Sequence, residues 1–322
     1  MEKIAVLMGG TSNEREVSLK SGGNVADALE SLGRYEVVRV DVKNDTLDDM
    51  PKDVSRVYIA LHGGWGENGG VQGALDRLGI PYTGPGVLAS QIAMDKIKTK
   101  MVLEMKGVPT AAWGLANPDT EQSPLPLPVV VKPPADGSSV GISKVSDASQ
   151  WSAARDAAFA AMKKTATQNT DSEQLTTNNS SPEAATEKAD KVVLVEEFIP
   201  GREFTVGVID GEPLPVIEIV AKGGWYGYEE KYNSDETKYP FFEDPVLAPK
   251  MQKLAVDAYN AVGCRGVTRV DFRMSPMGRM YVLELNTSPG FTSHSLVPKA
   301  GMKTGLSFAG VCKKILDCAK HD

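Results

Sequence analysis

Two short runs near the C-terminus, Val267–Met274 and Met280–Asn286, flank Ser-Pro-Met-Gly and read as a β-hairpin. With Ser275–Gly278 as a four-residue turn, Arg269 falls opposite Glu284 and Asp271 opposite Val282. Side chains alternate between faces, so Arg269, Asp271, Glu284 and Asn286 project together, while Val270, Phe272, Leu283 and Leu285 point into a core. Two carboxylates and an amide on one face suit a hard divalent cation such as Mg²⁺, which prefers oxygen ligands and commonly bridges nucleotide phosphates. A solvated polar face with an Arg–Glu cross-strand pair explains the hairpin alone equally well.

A second run adds to the first. Val129-Val130-Val131-Lys132 is a buried strand ending in a lysine, followed by Asp136-Gly-Ser-Ser-Val-Gly-Ile142. Successive N–H groups in a Gly/Ser turn make an anion-binding concavity, and the lysine supplies a point charge. No GxxxxGK[ST] is present, so this is not a Walker A loop. An anion loop and an acidic hairpin together indicate a phosphate–metal site. Other candidates are weaker. Gly84–Ala89 matches GxGxxA but does not follow the first strand, which is poor evidence for a dinucleotide. His62 ends an apolar strand, and His294 lies in a polar loop after Pro289-Gly290. No Cys/His metal spacing and no GxSxG elbow occurs.

These groups need a scaffold, and the first hundred residues read as alternating strand and helix. Lys3–Met8, Tyr35–Val42 and Arg56–Leu61 are strands. Helices are expected from a capping box at Asn13/Glu16 to about Leu32, over Val71–Leu78, and from Val87 to Lys106. This alternation implies a parallel sheet with ligands at its carboxyl ends. Beyond Gly107 come the Val129–Lys132 strand, a helix over Ala148–Met162, and strands at Val192–Ile199, Glu203–Ile209 and Leu214–Val220. The last two are joined at Asp210-Gly211, a hairpin signal. A Gly- and Tyr-rich loop spans Lys222–Pro240, and helices cover Met251–Val262 and Phe308–Ala319. Residues 163–191 hold one large aliphatic, Leu175, no aromatic, and fourteen Ser, Thr, Asn or Gln. They read as a surface insertion, since they cannot bury enough apolar area to offset their ordering entropy.

Composition sets the outer bounds. The chain has 322 residues, 41% hydrophobic and 24% charged, enough for two or three subdomains. A net charge of -7 argues against a nucleic-acid partner. Apolar runs are too short for a signal h-region or a membrane span, and three cysteines without CxxC suit a reducing, cytoplasmic setting.

Taken together, Gly9–Ser18, Met94-Asp-Lys96, Val131-Lys-Pro133, Gly137–Gly141, Glu230-Lys-Tyr232, Glu284–Gly290 and Ser293–Leu296 resemble the D-alanine–D-alanine ligases, an ATP-grasp family of cytoplasmic peptidoglycan-precursor enzymes. The motifs run in family order from residue 3 to about 310. The resemblance implies an α/β, α+β ATP-grasp architecture. Residues 1–96 would form a substrate-binding domain, 97–199 a central subdomain carrying the 163–191 insertion, and 200–322 a C-terminal subdomain with the metal site and a lid. It implies ATP and two Mg²⁺ (or Mn²⁺) as cofactors and a homodimer with no membrane or nucleic-acid partner.

Residue by residue, it implies that Lys96, Lys132 and Ser139 hold phosphates and Lys231 reaches the γ-phosphate. Glu196, Phe198 and Ile199 would meet adenine, and Glu203 the ribose. Asp271, Glu284 and Asn286 would ligate metal. Glu14 would hold the first D-alanine's ammonium, linked through Ser138 to Tyr232, and Ser295 with the Leu296 N–H would take the second carboxylate. His62 and Tyr226 would border the substrate, while Arg269 and the Gly290 N–H would stabilise the oxyanion. Ester-forming D-alanine–D-lactate relatives usually carry another residue at the place of Tyr232.

Overall fold

The computed structural model describes residues 1–135, 141–170, 192–221, 236–292 and 295–322, with the side chains of 163–170 left aside. The first sheet is parallel, ordered β2-β1-β3, from β1 (Glu2–Gly9), β2 (Tyr35–Val42) and β3 (Arg56–Ile59). Ala5 and Leu7 on one face of β1, and Ile4 and Val6 on the other, are fully buried, as a parallel strand covered on both sides requires. Helix α1 (Arg15–Ser31) follows β1, and α2 (Gly70–Leu78) follows β3.

Two helix expectations are corrected. The N-cap of α1 is Glu14 rather than Asn13, and no side chain caps it, so the Glu14 carboxylate is not spent on the helix end. The expected Val87–Lys106 helix is two helices, α3 (Val87–Met94) and α4 (Lys96–Met105). Asp95 breaks it by adopting extended φ/ψ and accepting the Ile97 and Lys98 N–H groups, an N-cap that propensity alone does not reveal.

The second sheet is antiparallel, ordered β4-β7-β5-β6, from β4 (Trp113–Ala116), β5 (Val129–Lys132), β6 (Ser143–Val145) and β7 (Val193–Glu197). Helix α5 (Trp151–Thr170) covers one face over Val129, Val131, Val193 and Val195. It runs past the expected end at Met162 into the polar stretch; the remainder of that stretch, 171–191, lies outside the described residues.

The third sheet is ordered β10-β8-β11-β12, with β9 beside β8: β8 (Arg202–Ile209), β9 (Glu212–Pro213), β10 (Ile217–Ile219), β11 (Val267–Met274) and β12 (Met280–Asn286). Asp210 and Gly211 both have positive φ (50° and 83°) and join Ile209 to Glu212 as the two-residue hairpin anticipated. Helix α6 (Leu247–Val262) packs Met251, Ala255 and Ala258 on Phe204, Val206, Val270 and Phe272. Two further helices close the chain, α7 (Leu296–Lys303), which the sequence reading did not anticipate, and α8 (Phe308–Asp317).

The β11–β12 register differs from the expectation. The turn holds five residues, closed by the Ser275 N–H to the Arg279 carbonyl at 2.8 Å, so Met274 pairs with Met280. A bulge at Leu283 then shifts the pairing once more. There the Val282 N–H donates to Pro109 O (2.9 Å) and its carbonyl accepts the Thr110 hydroxyl (2.8 Å). Val282 therefore takes the fully buried place expected of Leu283, which is half-buried. Arg269 stands opposite Asn286, and Asp271 stands directly opposite Glu284.

Candidate active site

The inner face of the third sheet is a polar ladder built by register. Its three rows are Gly207–Arg269–Asn286, Thr205–Asp271–Glu284 and Glu203–Arg273–Tyr281. Asp271 accepts from Thr205 Oγ1 at 2.6 Å and from Arg269 through Nε at 2.9 Å and Nη2 at 2.7 Å. These bonds leave capacity on its two oxygens, and Glu284 faces it from the next strand. Two carboxylates plus the Asn286 amide form an oxygen-donor set that fits a hard cation. Among the described residues no group of three or more His, Cys, Asp or Glu could hold a metal. An ion at this place would complete its shell with further oxygens, from water or a bound phosphate.

One face of the inner strands of the second sheet supplies the cations. Lys132, at the end of β5, shares a face with Glu196 on β7, and Glu196 is ion-paired to both Lys132 and Lys100. Burial alone would raise the Glu196 carboxyl, but the two lysines hold it below its ordinary range. For Lys132, burial opposes the charge, yet Glu196 overrides it and lifts the ammonium pKa. Burial lowers Lys100, whose Nζ also donates to Thr110 Oγ1 and the Ala111 carbonyl. Lys96 is brought to this cluster by the Asp95 break: its N–H donates to Pro134 O at 2.8 Å, and its ammonium lies 3.8 Å from Glu284.

Next to these lysines, Arg273 ties down the segment after β7. Its guanidinium donates to the Ile199 carbonyl and to Glu203 (both 3.1 Å) and lies over the Phe198 ring at 5.5 Å. Lys144 covers the same ring at 3.8 Å.

The other end of the cleft is a seam between the first and third sheets. His62 Nδ1 bonds the Ser288 carbonyl at 2.9 Å, and its Nε2 meets Ser21 Oγ at 3.0 Å. Ser21 Oγ also accepts the Phe291 N–H, and Ser288 Oγ donates to the Leu61 carbonyl. Since a carbonyl can only accept, Nδ1 carries the proton and Nε2 accepts from Ser21. Burial holds His62 below its ordinary pKa, consistent with this neutral tautomer. Glu14 Oε2 lies 2.9 Å from where a Cβ on Gly63 would sit. Ser295 is the N-cap residue of α7, but its Oγ turns back to accept the Thr292 N–H at 2.9 Å and bonds no helix N–H; Leu296 opens the helix. A Cβ on Gly290 would sit 3.0 Å from that same hydroxyl.

The structure thus gathers Glu14, His62, Lys96, Lys132, Glu196, Phe198, Ile199, Glu203, Arg269, Asp271, Glu284, Asn286, Gly290, Ser295 and Leu296 around the junction of three sheets. Ser138, Ser139, Tyr226, Lys231, Tyr232 and His294 lie outside the described residues. Sequence reasoning missed Lys100, Arg273, Thr205 and Ser21. Alternation along the strands could have found two of them, because Arg273 and Thr205 share a face with Asp271. Lys100 and Ser21 sit on helix faces that only tertiary packing turns inward.

A row of cations leading to paired carboxylates can hold a polyphosphate with metal, and a guanidinium beside a carboxylate-lined pocket can hold amino acids. The chain is similar along almost its whole length to the crystal structure of D-alanine–D-alanine ligase from Bacillus anthracis complexed with ATP. The TM-score is 0.76 and the identity 29%, covering 99% of this chain and 97% of that one. Fold and site define the ATP-grasp class of ligase.

Sequence comparisons narrow this. The D-alanine–D-alanine ligase of Glaesserella parasuis serovar 5 is 42% identical over 327 residues, covering 98% of this chain and 97% of the relative. That of Bordetella avium is 44% identical over 328 residues, covering 98% and 93%. The family model for the D-ala D-ala ligase C-terminus matches residues 101–170 and 176–317. The chain belongs to the D-alanine–D-alanine ligase family.

Proposed function

We propose that this chain joins two D-alanines at the expense of ATP, giving D-alanyl-D-alanine, ADP and phosphate for peptidoglycan precursor synthesis in the cytoplasm. The observation that carries the reading is the junction of three sheets, where a lysine cluster meets Asp271 opposite Glu284, with Glu14 and Arg269 beside them. We read the three sheets as three units bounded near residues 96 and 199, with a homodimer as the assembly, which light scattering would test. No helix among the described residues is long and apolar enough to cross a membrane.

A carboxylate is a poor acyl donor, so the first carboxylate is phosphorylated and the second amine attacks the resulting acyl phosphate. Lys96 and Lys132 position the phosphates, while Phe198, Ile199, Glu196 and Glu203 receive the nucleoside. Arg273, donating to the Ile199 carbonyl and to Glu203, fixes the geometry of that receiving segment. Asp271, Glu284 and Asn286 would hold Mg²⁺, which supplies charge neutralisation to phosphoryl transfer when bound.

Glu14 holds the first ammonium, and Arg269 with the Gly290 N–H stabilises the oxyanion. Ser295 and the N–H of Leu296 take the second carboxylate at the start of α7, where unpaired helix N–H groups favour an anion. Neutral His62 holds the first sheet to the Ser288 turn and so keeps the two halves of the pocket in register. Ser138, Ser139, Tyr226, Lys231 and Tyr232 complete the set on the strength of the family resemblance. Dipeptide formation from ATP and D-alanine, with L-alanine as the control, tests the reading.

A further inference from the structure

A second carboxyl stands in the substrate pocket without an assigned task. Glu67 closes the short 3-10 turn Gly64–Gly66, its N–H donating to the Gly64 carbonyl at 3.1 Å. Its side chain is 14% exposed and places Oε1 4.0 Å from His62 Nδ1. That imidazole proton is committed to the Ser288 carbonyl at 2.9 Å, and the other ring nitrogen is met by Ser21, so His62 is a neutral wall rather than a counter-charge. Glu14 lies on the other side of the same glycine, 2.9 Å from the position of a Gly63 Cβ. Among the described residues, the charged groups that act on Glu67 are Glu14 and Glu284, both anionic, and Arg269, whose guanidinium already forks onto Asp271.

Two carboxyls on either side of one glycine, beside a neutral imidazole, are complementary to a cation. The reaction brings two ammonium groups to this place, and Glu14 accounts for one. We propose that Glu67 receives the ammonium of the second amino acid and takes up the proton that this nitrogen must lose before it attacks, an assignment that rests on the ligase reading above.

The step balances. A proton passes from the ammonium to the Glu67 carboxylate, leaving a neutral amine and a carboxylic acid. The nitrogen lone pair forms the C–N bond at the acyl carbon, the bond from that carbon to the phosphate oxygen breaks, and the extra proton on nitrogen leaves with phosphate. Burial, followed by the neighbouring Glu14 charge, pushes the Glu67 carboxyl up to about 8; an arriving ammonium favours its ionised form, and the proton that form then takes up is held near neutral pH. An ammonium makes a charge-assisted bond to this carboxylate that a neutral hydroxyl cannot match, so the same group favours binding of an amine over an alcohol.

The test is steady-state dipeptide formation against D-alanine concentration, at saturating ATP and Mg²⁺ and from pH 6 to 9. It is run for the whole wild-type chain, Glu67→Gln and Glu67→Asp, with D-lactate added as a competitor in a second series. Glu67→Gln is expected to raise the KM of the second D-alanine by about tenfold or more, the loss expected when a charge-assisted hydrogen bond goes. It should also flatten the pH dependence and let D-lactate compete better, while the KM values of ATP and the first D-alanine stay within about threefold, as expected where the altered bond serves neither ligand. Glu67→Asp should recover part of the loss.

Unchanged second-site KM and selectivity would overturn the assignment. So would a parallel rise in all three KM values with a lowered melting temperature, in either variant, since that marks a structural role. Wild-type protein that makes no dipeptide from D-alanine would instead sink the ligase reading itself.

Discussion

Arg269 and Asp271, two residues apart on one strand, are joined by a two-point ion pair, Nε to Oδ1 at 2.9 Å and Nη2 to Oδ2 at 2.7 Å. Thr205 holds the same carboxylate from the neighbouring strand at 2.6 Å. One carboxylate therefore orients the guanidinium toward the substrate pocket while facing Glu284 across the strand pair.

A lysine cannot reproduce that fork. Arg269→Lys is expected to lower kcat/KM by about 10²–10³, the cost of one oxyanion donor, with ATP affinity little changed. Steady-state kinetics and a nucleotide binding isotherm check it, and near-normal kcat/KM would contradict the role.

Glu284→Gln keeps the shape and removes one of the two facing charges. Turnover should fall to background across a Mg²⁺ titration while the melting temperature in the absence of nucleotide stays close to that of the wild type. Full activity at ordinary Mg²⁺ would remove Glu284 from the metal site.

Glu196 separates two buried lysines, so Glu196→Gln leaves Lys100 and Lys132 facing one another. Breaking a buried pair in this way costs about 3–5 kcal/mol, measured by urea unfolding at pH 7. The folded-state carboxyl lies below its ordinary 4.5, so its contribution is complete above that pH and is lost as pH falls through the lower, folded value. The gap between variant and wild type should narrow in acid; a gap that widens would show that the pair is not the source.

Gly207 lets α7 approach the sheet: a Cβ there would lie 2.9 Å from Leu214 Cδ1 and 3.2 Å from Val297 Cγ2. Gly207→Val should push the helix, and with it Ser295 and Leu296, away from Arg269. The KM of the second D-alanine would rise more than that of ATP. Equal effects on both would mean a general loss of structure.

Local pattern carried much of this architecture. Tyr35–Val42, Val129–Lys132, Val267–Met274 and Met280–Asn286 are strands over the expected residues, since apolar alternation and flanking turn residues are properties of the chain itself. The polar face of β11 was legible for the same reason. Its exact pairing was not, because the Leu283 bulge depends on bonds from Val282 to Pro109 and Thr110, more than 170 positions away in the chain. The lysine–glutamate cluster and the His62 seam were hidden likewise: Lys100 meets Glu196 only once helix α4 packs against the second sheet, and His62 meets Ser288 only once the first and third sheets come together.

The most direct measurement is phosphate release from ATP and Mg²⁺ with D-alanine, L-alanine, or D-alanine plus D-lactate, with the products separated. The account predicts release with D-alanine, with D-alanyl-D-alanine formed in equal amount, and none with L-alanine alone. ATP binding without phosphate release for any of them would contradict the proposed substrate while leaving the fold in place.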